Sequence, residues 1–213
     1  MNAKLPPGLT NSLHSLLVLV GIMFLVSSLS PTRVEGLGEF PAALRASWFL
    51  GSLALLSGVL GLHVGVAEAS WWRGLYRPCP HPLRRLATGC CLGVGLFLPF
   101  LVGFRALSGA PWSGLPGLVS LLLASSYAWA VVGRWTLEAL KSEGAGFALR
   151  YSSLALAHFL PLPFASPISP IVAALSLWET RLPGLVGIGV WGALGAVLSW
   201  RYLRWRRGSY LEA

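Results

Sequence analysis

Three groupings of residues in this 213-residue chain are of types that could do chemistry. His14 and His63 each stand about a turn inside one end of an apolar run. If the two runs are antiparallel helices, both imidazoles lie at one depth, and facing histidines of that kind can ligate haem iron. Histidines near a membrane interface also reach water without any ligand, and that is the commoner outcome. Ser152, Ser153 and His158 share a later apolar run, as an intramembrane serine hydrolase would need. No G-x-S-G element surrounds them, so the expectation is a small-residue helix contact with the hydroxyls bonded back to the backbone. Cys79 and His81, followed by Cys90 and Cys91, offer metal-type donors, but at no usual zinc spacing. No metal site is expected, and three cysteines cannot form a disulfide framework.

The elements that must position these groups are set by composition. Apolar residues make up 55% of the chain and charged residues 11%, with a mean hydropathy of +0.69. A soluble domain carries roughly 25% charged residues to wet its surface. This chain therefore belongs in a bilayer, as a single transmembrane domain over residues 1–213. It contains no aspartate, and its formal charge is +9. Because the arginines fall between apolar spans, that charge reads as membrane topology and contact with anionic headgroups, not as a nucleic-acid surface. Lipid is thus an expected partner and nucleic acid is not.

A helix needs about 20 residues to cross a hydrocarbon core of about 30 Å. By that ruler, spans are predicted near 12–30, 44–66, 86–106, 115–134, 148–162 and 183–203. The first reads as a retained helix rather than a cleaved signal. With the N-terminus in the cytoplasm, six crossings leave twelve of the sixteen lysines and arginines on that side. Arg33, Arg45, Arg105 and Arg181 are the four outside or at the outer edge. The positive-inside rule then places both termini in the cytoplasm of a cell inner membrane. Cys79 falls on that reducing side. Between the last two spans, residues 161–179 carry Pro161, Pro163, Pro167 and Pro170, each of which removes a donor and breaks a helix. A re-entrant segment over 163–179 is predicted, since broken backbone at membrane depth must be covered by protein or a water-filled cavity.

One connection stands out. VAEASWWRGLYRPCPHPLRRLATGCC, residues 66–91, holds four arginines, two adjacent tryptophans and a single acid, Glu68. Trp71 with Leu75 and Trp72 with Tyr76 are i, i+4 pairs, so a short surface helix over 68–77 would gather the aromatics on one stripe beside Arg73 and Arg77. An aromatic and arginine stripe suits the headgroup zone, and it equally suits a protein groove.

The order of Glu68, Gly74, Leu75, Pro80 or Pro82 and then Arg84–Arg85 resembles the first cytoplasmic loop of type-two ABC export permeases. There the second span runs into a glutamate, a glycine and a short coupling helix seated in a groove of the ATPase subunit. Residues 125–179 resemble the fourth and fifth spans of the same permeases, including the short re-entrant helices, with Pro170-Ile-Val-Ala-Ala-Leu-Ser-Leu in their place. The chain departs from that family at MNAKLPPGLT, where Pro6 and Pro7 do not suit the usual amphipathic elbow helix, and in a short loop between the first two spans. The resemblance implies an all-α, polytopic membrane protein with six transmembrane helices and a proline-broken re-entrant segment between helices five and six. It implies a permease subunit of an exporter, a homo- or hetero-dimer of membrane subunits, and coupling through Glu68, Trp71, Trp72, Arg73, Gly74, Leu75 and Arg77. The cargo expected is amphipathic or lipid-like. No P-loop occurs in the chain, so it is not expected to be an enzyme; ATP would be bound by a soluble ABC ATPase partner, and no cofactor is expected here. The competing expectation is a membrane anchor or haem-binding subunit of a redox or respiratory complex, with His14 and His63 as ligands. A structural assembly subunit is the third.

Overall fold

The computed structural model describes residues 7–29, 42–75, 79, 81–109, 111–140 and 143–211. Among them are seven α-helices and no strand: α1 Pro7–Leu29, α2 Ala42–Gly74, α3 Pro82–Ser108, α4 Leu115–Ala139, α5 Glu143–Phe159, α6 Pro170–Trp178 and α7 Pro183–Leu211. Proline opens several of them, at 82, 116, 170 and 183, where its missing N–H has no helical acceptor to lose and its φ is already helical. Gly109 closes α3 in the left-handed conformation, with φ of 65°.

Five of the helices, α1, α2, α3, α4 and α7, are long and apolar enough to cross a membrane. Their apolar side chains also face outward: Val18, Ile22 and Val26 on α1, Leu92 and Leu96 on α3, Leu185 and Val197 on α7 are all exposed. Lipid suits those faces and water does not. The chain is a multi-pass, all-helical membrane protein.

The centre of the bundle is a backbone contact between α2 and α4. A Cβ on Gly61 would lie 2.0 Å from the Ser126 carbonyl oxygen, and one on Gly65 would lie 2.1 Å from that of Ala130. On the other helix, a Cβ on Gly133 would meet the Leu62 carbonyl at 2.6 Å. Small residues four apart thus let the two backbones touch, the usual way lipid-embedded helices associate without a hydrophobic drive. Helix α3 lies against α2 as well, with Gly89 beside Val64 and Gly93 beside Leu60.

Two differences from the sequence expectations have clear causes. The separate surface helix expected from residue 68 is, through Gly74, the final turns of α2. That helix has 33 residues, about 50 Å in length, and so overhangs a core of about 30 Å. Its helical pattern continues without a breaker until Gly74. Where a span was expected at 148–162 the chain forms α5, which starts earlier, stops at Phe159 because Pro161 and Pro163 cannot extend it, and is not among the helices long and apolar enough to cross a membrane. Its 17 residues make α5 shorter than the five long helices.

Residues 161–179 form no continuous helix. A short 3-10 turn at Leu162–Phe164 leads to Ala165 in the left-handed region, with φ of 47°, and then to α6. His158, near the end of α5, lies against Gly58 of α2, whereas Ile171 of α6 lies against Gly51. Seven residues of helix separate those levels, about 10 Å. Helices α5 and α6 therefore occupy successive levels along α2, with the turn between them. At 9 residues, about 14 Å, α6 alone is far short of a membrane's thickness.

Candidate functional site

The end of the bundle where α2 and α4 finish carries a continuous polar layer. Its first part is built on the overhang of α2. Glu68 is only 4% exposed, and Arg85 from the first turn of α3 grips it with both arms of its guanidinium, Nε to Oε2 at 2.8 Å and Nη2 to Oε1 at 3.0 Å. Trp72, one turn on from Glu68, donates its indole N–H to the same carboxylate at 3.3 Å, and the Arg85 guanidinium sits 5.5 Å from the Trp72 ring. The carboxylate is thus neutralised and hydrogen-bonded on both oxygens, which burial requires.

The second part joins α4 to α7. Arg134, 2% exposed, pairs with Glu138 at 2.8 Å, one turn along its own helix. Its Nε donates to the Tyr202 hydroxyl at 2.9 Å, and that hydroxyl donates to Glu138 at 2.9 Å, closing a triangle. Further bonds tie in α5 and the connection at residue 79. Arg73 donates to the Leu137 carbonyl at the end of α4, and both Nη atoms of Arg206 donate to the Cys79 carbonyl at 3.2 Å. His63 shares a 2.8 Å hydrogen bond with the Tyr151 hydroxyl of α5.

The coupling residues expected from the sequence are thereby divided. Glu68 and Trp72 are turned inward as a clasp. Trp71 is half-buried, while Arg73, Gly74 and Leu75 are exposed at the tip of α2, with Leu75 in the turn that follows. Arg77 lies outside the described residues. Of the four prolines, Pro170 is buried at the start of α6, Pro161 and Pro167 are half-buried, and Pro163 is exposed.

His14 and His63 have separate surroundings. His14 is exposed on α1, its Nδ1 at 2.9 Å from the Thr10 carbonyl, whereas His63 is engaged with α5. Among the described residues no group of three or more histidine, cysteine or acidic side chains could hold a metal ion. Cys79 and Cys90 are buried and free, and Cys91 is exposed and free.

Two further buried clusters surround His158 and Arg105. His158, fully buried, has its Nδ1 at 2.9 Å from the Leu154 carbonyl and stacks near Trp129 and Trp191, with centroids at 6.3 and 6.2 Å. Ser169 donates to the His158 carbonyl at 2.8 Å and Trp191 to the Ile168 carbonyl at 2.9 Å, so side chains satisfy backbone groups that the break between α5 and α6 exposes. At the far end, Arg105 is fully buried with its guanidinium 4.0 Å from the Trp178 ring, and its Nη1 donates to the Trp178 carbonyl at 3.3 Å. An arginine followed by a lone tryptophan 73 residues later gives no spacing signal. The Arg134–Glu138 pair does, as an i, i+4 pair within a span, where ionisable residues mark a buried partner.

No protein-family model, curated protein or solved structure matches the chain.

Proposed function

We propose that this chain is the membrane-embedded permease subunit of an ABC-type exporter, working as a dimer of membrane subunits with a soluble ATPase docked at the polar end. The observation that carries this reading is the overhang of α2. It projects Trp71, Arg73 and Leu75 beyond the apolar span, and the Glu68–Arg85–Trp72 clasp fixes it to α3. Because α2 packs against α1, α3, α4, α5 and α6, a force on that tip reaches most of the bundle. In this reading the polar end faces the cytoplasm of the inner membrane with both termini. Helices α5 and α6 together serve as the broken fifth crossing, entered from the outer face by α6, and α7 is the sixth. Nucleotide hydrolysis belongs to the partner, and the apolar interior suits an amphipathic or lipid-like cargo.

The test uses the division of labour at the tip. Trp72 belongs to the clasp, so the docking variant is Trp71→Ala with Leu75→Ala. The expected result is normal membrane insertion and melting, with loss of a P-loop ATPase that copurifies with the wild type in mild detergent. If the variant keeps every wild-type partner, the tip is only an interfacial turn and the exporter reading fails.

A further inference from the structure

At the end of the bundle opposite the clasp, a pocket of about 170 Å³ opens between α1, α2 and α3, lined by Ser27, Ser28, Arg45, Phe104, Leu107 and Ser108. The positions of these residues set its depth. Ser28 is the penultimate residue of α1, Arg45 the fourth of α2 and Ser108 the last of α3. All three thus lie where apolar helix gives way to its connections, which is headgroup level for a membrane helix.

The pocket's chemistry is that of an anion site. Arg45 is half-buried and makes no ion pair or hydrogen bond among the described residues. The Ser28 hydroxyl is buried without a partner, and Ser27 is 6% exposed. Ser108 spends its hydroxyl hydrogen on the Arg105 carbonyl at 3.0 Å and so offers the pocket no donor, which leaves Arg45 and Ser28 as its donors. Neither α1 nor α3 contains an acid, and the nearest acid along α2 is Glu68, more than six turns away. A half-buried cation at headgroup level favours an anionic partner. Phe104 and Leu107 supply an apolar wall, and the exposed Leu25 and Val26 of α1 with Val102 of α3 continue the apolar surface toward the bundle's middle.

We propose that this pocket binds a phosphate group, specifically the phosphodiester of an anionic bilayer phospholipid, with its acyl chains along α1 and α3. Arg45 supplies the charge-assisted hydrogen bonds, and Ser28 supplies a neutral one. An anionic headgroup is favoured over a zwitterionic one because the latter would bring its own cation beside Arg45.

The experiment is native mass spectrometry of the full-length protein in detergent, titrated with phosphatidylglycerol and, separately, phosphatidylcholine, each with and without excess inorganic phosphate. The wild type should retain phosphatidylglycerol in preference to phosphatidylcholine. Arg45→Gln should weaken retention about tenfold, Ser28→Ala should weaken it less, and Arg45→Lys should restore part of it. Arg181→Gln removes an exposed arginine already paired with Glu179 and should change nothing. If no lipid is retained but inorganic phosphate raises the melting temperature of the wild type and not of Arg45→Gln, the phosphate chemistry stands with a soluble source. Equal retention by wild type, Arg45→Gln and Ser28→Ala overturns the proposal, as does equal loss in Arg181→Gln.

Discussion

The Glu68–Arg85 clasp makes an asymmetric demand that mutation can measure. Removing Arg85 leaves a carboxylate whose side chain is 5% exposed with only the Trp72 indole for company. Stranding one partner of a buried pair costs about 3–5 kcal/mol. Removing Glu68 strands Arg85, whose side chain is 22% exposed and can swing its charged head into water. That loss should be smaller, about 1–3 kcal/mol, mostly the charge-assisted hydrogen bonds themselves. Arg85→Ala should therefore lower the melting temperature in detergent more than Glu68→Ala, by roughly 10 °C against roughly 5 °C. The pair Glu68→Gln with Arg85→Met keeps volume without charge and should recover part of the Arg85 loss. A double-mutant cycle would then give a coupling of about 2 kcal/mol. If Glu68→Ala is the more harmful change, or if the two losses simply add, the carboxylate is not held as described and the overhang of α2 is not fixed to α3.

Further outcomes follow from the same geometry. Gly61→Ala puts a methyl group against the Ser126 carbonyl and should destabilise the fold by about 1–3 kcal/mol, whereas Gly95→Ala, which meets nothing within 4 Å, should be silent in the same melt. Phe substituted for Tyr202 removes the hydroxyl that bridges Arg134 and Glu138, leaves the aromatic packing, and should cost about 1–2 kcal/mol by thermal unfolding. Reporter fusions at Ala213 and within residues 35–40 should report opposite sides of the membrane, and a common side would end the six-crossing reading. Pure protein should show no haem absorption, and a band bleached by His63→Ala would establish the redox alternative instead.

What was legible in the sequence was whatever a single helix encodes by itself. Apolar runs located the five long helices, although the expected ends of α2 and α7 fell eight residues short, and prolines at 161, 163, 167 and 170 marked the break because each acts locally on its own backbone. The helix expected over 68–77 is present through Gly74 as the end of α2, not as a separate element. Aromatic spacing indicates a helix but not whether that helix is separate, and no breaker stands between Gly65 and Gly74 to cut it. The α2–α4 contact was missed although its signal, Gly61-x3-Gly65 facing Ser126-x3-Ala130, was present, since small residues scattered through 25 glycines carry information only once the partner helix is known. Counting arginines for topology treated each as a surface charge. Arg105, Arg134 and Arg150 are buried, and burial depends on side chains from other helices that no local pattern names.

These packings also bear on where an exporter of this architecture would open. Backbone contact along Gly61, Gly65 and Gly133 joins α2 to α4, while the clasp joins α2 to α3. Pulling α2 from α4 would expose the Ser126 hydroxyl now donated to the Ser57 carbonyl, together with several backbone carbonyls, to lipid that cannot bond them. The seam to α5 is thinner. Its described polar ties are His63–Tyr151 at 2.8 Å and a long Arg150–Thr136 contact at 3.4 Å, worth about 1 kcal/mol each or less. Beside it, an apolar groove of about 440 Å³ runs between Trp48 and Leu55 of α2, Phe159 of α5 and Ile171 of α6. A push at Trp71 would thus carry α2, α3 and α4 with α6 as one body and yield first along α5. In the exporter reading, movement there would cost little polar exposure, since the backbone between α5 and α6 is already broken and its exposed groups are already satisfied by Ser169 and Trp191.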